Sequence, residues 1–420
     1  MKNYPGWLVC RVAARERLCG GRKLQRGDVM KTTPPPAQPQ PRAVSATWAG
    51  AREHSDPLAI DAIDHVELWV GNARQAAHFY QSALGFTPVA YCGPETGCRD
   101  SASYVLRQNR ITLVLTSPLR ITSPINHALA RHGDAVHAIA LEVQDCAAFY
   151  QAAVARGAVS AEAPVEIVDG AGTVRRAAIQ TYGDVLHPII ERGSYSGSFW
   201  PGYVPYGEIF PFTPKTEDLG LIVIDHIVGN VELGRMEHWV NFYEQVLGFT
   251  EMLHFTDKDI STEYSALMSK VVRSGNGKIK FPINEPAQGR RKSQIDEYLE
   301  FNSGPGAQHI AMGTKDIIQT VTELRRRGVS FLGVPKTYYE EVPNRVGTIK
   351  EDLSVLAELG ILVDRDDDGY LLQIFTRPVQ DRPTLFFEII QREGSLGFGI
   401  GNFKALFEAI EREQARRGNL

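Results

Sequence analysis

Asp225-His226-Ile227-Val228-Gly229-Asn230 leads into a helical stretch that closes on Leu247-Gly248-Phe249. The same plan occurs earlier, where Asp64-His65-Val66-Glu67-Leu68-Trp69-Val70-Gly71-Asn72 leads to Leu84-Gly85-Phe86. A chain that repeats one supersecondary unit in this way is built from duplicated modules. In the later copy Met236, Trp239, Val240, Tyr243, Val246 and Leu247 recur at i, i+3, i+4, i+7, i+10 and i+11, the apolar stripe of a helix lying on a sheet. Gly248 stands where a left-handed C-cap is needed. Ala73, Ala76, Ala77, Tyr80, Ala83 and Leu84 repeat the spacing. Short runs with turn signals follow, such as Tyr104 to Leu106 and Ile111 to Thr116. The expected fold is α+β, with two half-barrel domains, each made of paired βαβββ modules.

At 420 residues and 43% hydrophobic content the chain exceeds one ordinary core. Residues 1–55, basic at first and then Pro-rich around Pro34-Pro35-Pro36, read as a disordered tail outside the fold. Residues 56–195 form the expected N-terminal domain and 205–420 the C-terminal catalytic domain, joined through the Gly-, Ser-, Pro- and aromatic-rich segment Gly193 to Gly207. A net charge of -4 supplies no global field for phosphate backbones, so nucleic acid is not an expected partner. No apolar run approaches the roughly 18 to 20 residues of a membrane span, and a membrane partner is not expected either. Five cysteines form no C-x-x-C pair and are odd in number, which suits a reducing compartment and points to the cytoplasm.

Two further correspondences decide which half carries chemistry. Ala135-Val136-His137-Ala138-Ile139-Ala140 matches Ala307-Gln308-His309-Ile310-Ala311-Met312, and Pro188-Ile189-Ile190-Glu191-Arg192 matches Glu388-Ile389-Ile390-Gln391-Arg392. Each half then offers two histidines, but proline has no side-chain donor. Only the later half completes a set of His226, His309 and Glu388, and His65 with His137 read as remnants of a lost site. Two imidazoles and one carboxylate on one face of a metal leave open positions for substrate and dioxygen, as in non-haem Fe(II) oxygenases; the same donors also suit zinc. Strand parity puts Phe386, Glu388 and Ile390 on one face, so a carboxylate points into an apolar interior and requires a cation there. Taken singly, either histidine also fits an ordinary hydrogen-bonded core position.

The blocks Phe281-Pro282-Ile283-Asn284-Glu285-Pro286, Lys292 to Tyr298, Gln308-His309-Ile310-Ala311, Asp368 to Thr376, Arg382 to Arg392 and Gly397 to Phe403 appear in order through the later half. With them the chain, over about residues 60 to 417, resembles the 4-hydroxyphenylpyruvate dioxygenases of the vicinal-oxygen-chelate superfamily, whose fold is glyoxalase-like. That resemblance implies one Fe(II) per chain on His226, His309 and Glu388. It implies substrate contacts from Ser269, Asn284, Gln294, Gln308, Gln373, Phe375, Phe386, Phe398 and Phe403, with Gln294, Gln373 and Phe375 in catalytic roles. It further implies 4-hydroxyphenylpyruvate and O2 as partners, homogentisate and CO2 as products, a place in tyrosine catabolism, and a homo-oligomer. Parity places Gln373 and Phe375 on one strand face. Gln308, next to His309, should point away from it unless a bulge or an indirect contact intervenes.

Phe403, Leu406, Phe407 and Ile410 make residues 402–417 an amphipathic helix. By resemblance it is a lid over the active-site mouth, with Gly394, Gly397, Gly399 and Gly401 as hinge candidates. Three alternatives share the metal set or the fold: 4-hydroxymandelate synthase, an extradiol catechol dioxygenase, and a non-catalytic ligand-binding protein. The product formed from 4-hydroxyphenylpyruvate separates them.

Overall fold

Val66 and Leu68 turn their side chains to one buried face of β1 (Ala62–Trp69), and that period-two pattern begins the first of four βαβββ modules. The computed structural model describes residues 58–212, 216–255, 266–287 and 292–419; the expected tail at 1–55 lies outside the described residues. After β1 come α1 (Ala73–Leu84), β2 (Thr87–Cys92), β3 (Ser101–Gln108) and β4 (Ile111–Pro118). The next module has α2 (Pro124–His132) as its lead-in and contains β5 (Ala135–Glu142), α3 (Cys146–Ala155), β6 (Ser160–Asp169), β7 (Gly172–Gln180) and β8 (Leu186–Glu191). A connection holding β9 (Val204–Pro205) and the short α4 (Tyr206–Ile209) crosses to the second half.

There the plan recurs with β10 (Val223–Asn230), α5 (Met236–Leu247), β11 (Thr250–Phe255), β12 (Ala266–Arg273) and β13 (Lys280–Ala287). The last module is led by α6 (Gln294–Asn302) and runs through β14 (Gly306–Gly313), α7 (Ile317–Arg326), α8 (Thr337–Val346), α9 (Leu353–Leu359), β15 (Leu362–Arg365), β16 (Tyr370–Phe375) and β17 (Phe386–Glu393). Finally α10 (Ile400–Arg416) closes the chain.

Each half makes one half-barrel sheet, ordered β6-β7-β8-β5-β1-β4-β3-β2-β9 and β11-β12-β13-β10-β14-β17-β16-β15. In both, the two modules meet through an antiparallel central pair, β1 with β5 and β10 with β14. The expected helix stripes are buried as read: Ala77, Tyr80 and Leu84 on α1, and Val240, Tyr243 and Leu247 on α5. Both helices end on a left-handed glycine, Gly85 at φ 77° and Gly248 at φ 72°.

One continuous core runs through both halves. Buried His187 on β8 accepts from the Tyr243 hydroxyl at 2.9 Å and donates Nδ1–H to the carbonyl of Ile139 at 2.9 Å, bolting α5 to the first sheet. Tyr182 packs so closely on β10 that a Cβ at Gly229 would lie 2.6 Å from its ring, which is why that strand position carries no side chain.

The closing helix begins two residues before and ends one before the expected 402–417. Of the four hinge candidates, Gly394 (φ 92°) and Gly399 (φ 76°) use left-handed backbone. Gly397 and Gly401 serve close packing instead. Asp366 lies against the first and accepts its N–H at 2.8 Å, and Asp364 accepts the N–H of the second at 2.9 Å.

Candidate metal centre and its cavity

Three neighbouring strands place the donors. His226 on β10 pairs with Ala311 on β14, and Ala311 pairs with Glu388 on β17, so one rung crosses the sheet with a methyl group at its middle. His309 lies two residues before Ala311 and therefore shares its face. The small Ala311 side chain leaves room between the flanking donors. Nε2 of His226 stands 3.1 Å from Oε2 of Glu388, and Nε2 of His309 stands 3.4 Å from the same oxygen. One ligand atom from each residue lies within 4.8 Å of the others, and all three side chains are buried.

Two β-bulges complete the arrangement. The β10–β14 register skips Asp225 and skips Gln308, each the residue before a donor histidine. An extra residue at each place frees the neighbour from strict alternation. Oδ1 of Asp225 takes the Nδ1 proton of His226 at 2.8 Å, and Oε1 of Gln308 takes that of His309 at 3.0 Å. With both Nδ1 atoms acting as donors, both Nε2 atoms present lone pairs toward Glu388, as metal ligation requires. Burial pushes the Glu388 carboxyl up, but His226 and His309 beside it outweigh this and hold it at about 2. Burial works against the charged form of His226 too, yet Glu388 and Asp225 raise its pKa, whereas burial lowers that of His309. One buried carboxylate and two imidazoles whose Nδ1 protons are already committed make a donor set that fits a divalent metal.

Every polar and aromatic residue expected around the substrate lines the same cavity as the donors: Ser269, Asn284, Gln294, Gln308, Gln373, Phe375, Phe386, Phe398 and Phe403. Ser269 and Asn284 face each other across β12 and β13. Phe386 stacks on His309 with ring centres 4.7 Å apart, and Phe398 meets the His226 ring edge-on at 4.9 Å. Oε1 of Gln294 and Oε1 of Gln373 are buried without a hydrogen-bond partner, a costly state for an acceptor and one that a ligand hydroxyl would relieve. The outer wall comes from α10 through Leu406, Phe407 and Ile410, and Phe255 and Leu267 add apolar lining. Those last five were missed from sequence as cavity residues. The α10 stripe was visible, but which side of it meets a cavity depends on where the helix docks.

The first half corrects one reading. Its β1–β5 register skips Asp64 and His137, as the second half skips Asp225 and Gln308. His137 therefore matches Gln308, and the position matching His309 is Ala138, which pairs with Leu186 as His309 pairs with Phe386. So the first half keeps one donor histidine, His65, and not two. His137 instead stacks on Trp69 at 3.4 Å between ring centres. Pro188 stands level with Ala140, as Glu388 does with Ala311, since Leu141 pairs with Ile189. Phe199 and Trp200 lie 5.2 and 5.4 Å from the His65 ring, where the second half has an open cavity.

With this geometry stand the likenesses to known proteins. Residues 62–185 and 223–374 match the family described as Glyoxalase/Bleomycin resistance protein/Dioxygenase superfamily. A 4-hydroxyphenylpyruvate dioxygenase of Dictyostelium discoideum is 50% identical over 368 residues, covering 86% of this chain and 100% of its own. That of Yarrowia lipolytica is 48% identical, covering 85% and 93%, and that of Danio rerio is 49% identical, covering 85% and 91%. Among solved structures, a mutant of 4-hydroxymandelate synthase from Streptomyces coelicolor superposes with a TM-score of 0.75 at 34% identity, covering 84% of this chain and 99% of that one.

Proposed function

Because this chain belongs to the 4-hydroxyphenylpyruvate dioxygenases of the glyoxalase/bleomycin resistance protein/dioxygenase superfamily, we propose that His226, His309 and Glu388 hold one Fe(II) per chain and that the aromatic cavity around them binds the substrate. The enzyme converts 4-hydroxyphenylpyruvate and O2 to homogentisate and CO2 in tyrosine catabolism, by oxidative decarboxylation, ring hydroxylation and side-chain migration. The observation that carries the metal reading is the convergence of three buried donors, two of them histidines whose Nδ1 hydrogen bonds turn Nε2 toward Glu388.

Chelation of the 2-oxo acid and activation of dioxygen are the chemistry Fe(II) supplies when bound, and zinc, without redox states, cannot supply the second. The chain's own residues do the positioning. Phe375, Phe386, Phe398 and Phe403 would clamp the aromatic ring and exclude water, so that the ring and the reactive end of the side chain are held in one geometry. The orphaned Oε1 of Gln294 or of Gln373 would accept the single phenol proton, orienting the ring and selecting a hydroxylated substrate. Ser269 and Asn284 line the same polar wall. Gln308 would act indirectly, by fixing the His309 tautomer. α10 would serve as the lid.

In this reading residues 205–420 carry catalysis, and residues 56–195 hold an incomplete copy of the site and support the shared core. A cytoplasmic location is supported by the free thiols of Cys92, Cys98 and Cys146, and the resemblance to the family supports a homo-oligomer. Neither nucleic acid nor membrane is a proposed partner, in keeping with the net charge of -4; among the described residues no helix is long and apolar enough to cross a membrane. Iron-loaded protein given 4-hydroxyphenylpyruvate should yield homogentisate; 4-hydroxymandelate would shift the assignment to the structural neighbour's reaction, and no oxygen uptake would refute both.

A further inference from the structure

We propose that Asp225 and Arg392 are positioning residues for the metal centre: the pair aims Nε2 of His226 into the site and, through one guanidinium, seats Phe398 and the segment from which α10 grows. The inference rests on the reading of His226 as a metal ligand. An imidazole turned by half a revolution about its Cβ–Cγ bond puts Cδ2 where Nδ1 stood and Cε1 where Nε2 stood, so a rigid acceptor on Nδ1 decides whether a nitrogen or a carbon faces the metal. Asp225 is such an acceptor, since the bulge sets its backbone and its own two oxygens are both held. Arg392 donates Nε to Oδ2 at 2.7 Å and Nη2 to Oδ1 at 2.8 Å, a two-pronged contact that lysine has no geometry to copy. Lys280, with Nζ 3.8 Å from Oδ1, is the other cation near this carboxylate, and it stands beyond hydrogen-bond reach.

The remaining arm of Arg392 carries the contact outward. Nη1 donates to the carbonyl of Gly397 at 2.6 Å and to that of Ser395 at 3.3 Å, within the segment that enters α10. The guanidinium lies 5.5 Å from the centre of the Phe398 ring, whose edge meets His226. One cation thus ties a metal ligand, a cavity wall and the root of the closing helix together.

The first half holds the same assembly without the rest of the site. Asp64 accepts from Nδ1 of His65 at 2.5 Å, and Arg192 grips Asp64 through Nε at 2.5 Å and Nη2 at 2.8 Å. Arg192 Nη1 donates to the carbonyl of Phe199, and the guanidinium lies 4.9 Å from that ring's centre. The other two donor positions there are Ala138 and Pro188. The Arg–Asp–His unit therefore forms in a setting that lacks two of the three donors, and its orientation of the histidine does not depend on metal. It also supplies a matched control: the same lesion at Asp64 disturbs the same kind of unit around a histidine that is not one of the three donors.

The test measures Co(II) affinity of metal-free protein by competition with a chelator, alongside kcat and KM of the iron-loaded enzyme. Asp225→Ala should weaken Co(II) binding about 10- to 100-fold. Arg392→Gln should raise KM more than it lowers kcat. Asp64→Ala should leave Co(II) affinity unchanged. If either single variant fails to fold, the double variant Asp225→Asn with Arg392→Gln removes both charges together and should show the same metal loss. A folded Asp225→Ala or double variant with wild-type Co(II) affinity overturns the proposal, as does an equal loss in Asp64→Ala. Wild-type protein that takes up no Co(II) would instead overturn the metal-site reading beneath it.

Discussion

Replacing Arg417 by alanine should release α10 without unfolding the enzyme. The Arg417 guanidinium clamps Glu297 through Nε at 3.1 Å and Nη2 at 2.5 Å, and Asn419 adds a donor at 3.0 Å. Glu297 lies on α6, one turn from Gln294 in the cavity wall, so this latch joins the end of α10 to a helix that lines the cavity. Its carboxylate side chain is 3% exposed and the arginine 30%. Breaking a fully buried pair costs 3–5 kcal/mol and an exposed one at most about 1, so this half-screened pair falls near 2 kcal/mol, a factor of roughly 30. Hydrogen exchange read by mass spectrometry should show the amides of α10 losing about that factor of protection while those of α5 keep theirs. KM for 4-hydroxyphenylpyruvate should rise with it. Unchanged α10 exchange in a folded Arg417→Ala protein would refute the latch. Equal loss of protection in α5 would show that the contact supports the whole fold and not the lid.

Glu388→Ala removes one donor and leaves two buried imidazoles facing an empty place, so iron content after gel filtration should fall to a small fraction of wild type and turnover should vanish; retained iron would contradict the donor assignment. Truncation after Gly401 should leave a folded protein that consumes oxygen with little homogentisate formed, measured by oxygen electrode and product chromatography, and unchanged coupling would count against a lid. Stability should also fall with acid through His187. Burial lowers its pKa from 6.5 to about 4, so the folded protein binds that proton less readily than the unfolded chain. The stabilisation is complete above pH 6.5 and is lost as pH falls toward 4, by about 3 kcal/mol, seen as a falling urea midpoint. His187→Phe should flatten that part of the profile.

What the sequence disclosed and what it hid have a common cause in strand geometry. The repeat was legible because Leu84-Gly85-Phe86 and Leu247-Gly248-Phe249 need a left-handed glycine at a helix end, and only glycine adopts φ 77° or 72° without strain. Glu388 was legible because proline at position 188 has no donor and because a carboxylate among Phe386, Phe387 and Ile389 calls for a cation. The bulges left no such mark. Skipping one residue in a ladder is a backbone event that many side chains tolerate, so His137 aligned with His309 by name when its place is that of Gln308. The same event turns Gln308 toward His309, against simple alternation. Asp225 and Arg392 did have a signal, since both recur as Asp64 and Arg192, but their bidentate pairing joins strands far apart in sequence and becomes visible only in the fold.

Anomalous diffraction at the iron edge from crystals of Fe(II)-loaded protein tests the central claim most directly. A single peak per chain should lie within bonding distance, about 2.0 to 2.2 Å, of Nε2 of His226, Nε2 of His309 and a carboxylate oxygen of Glu388. A peak elsewhere in the chain, or one at this place that persists when all three side chains are replaced by alanine, would contradict it.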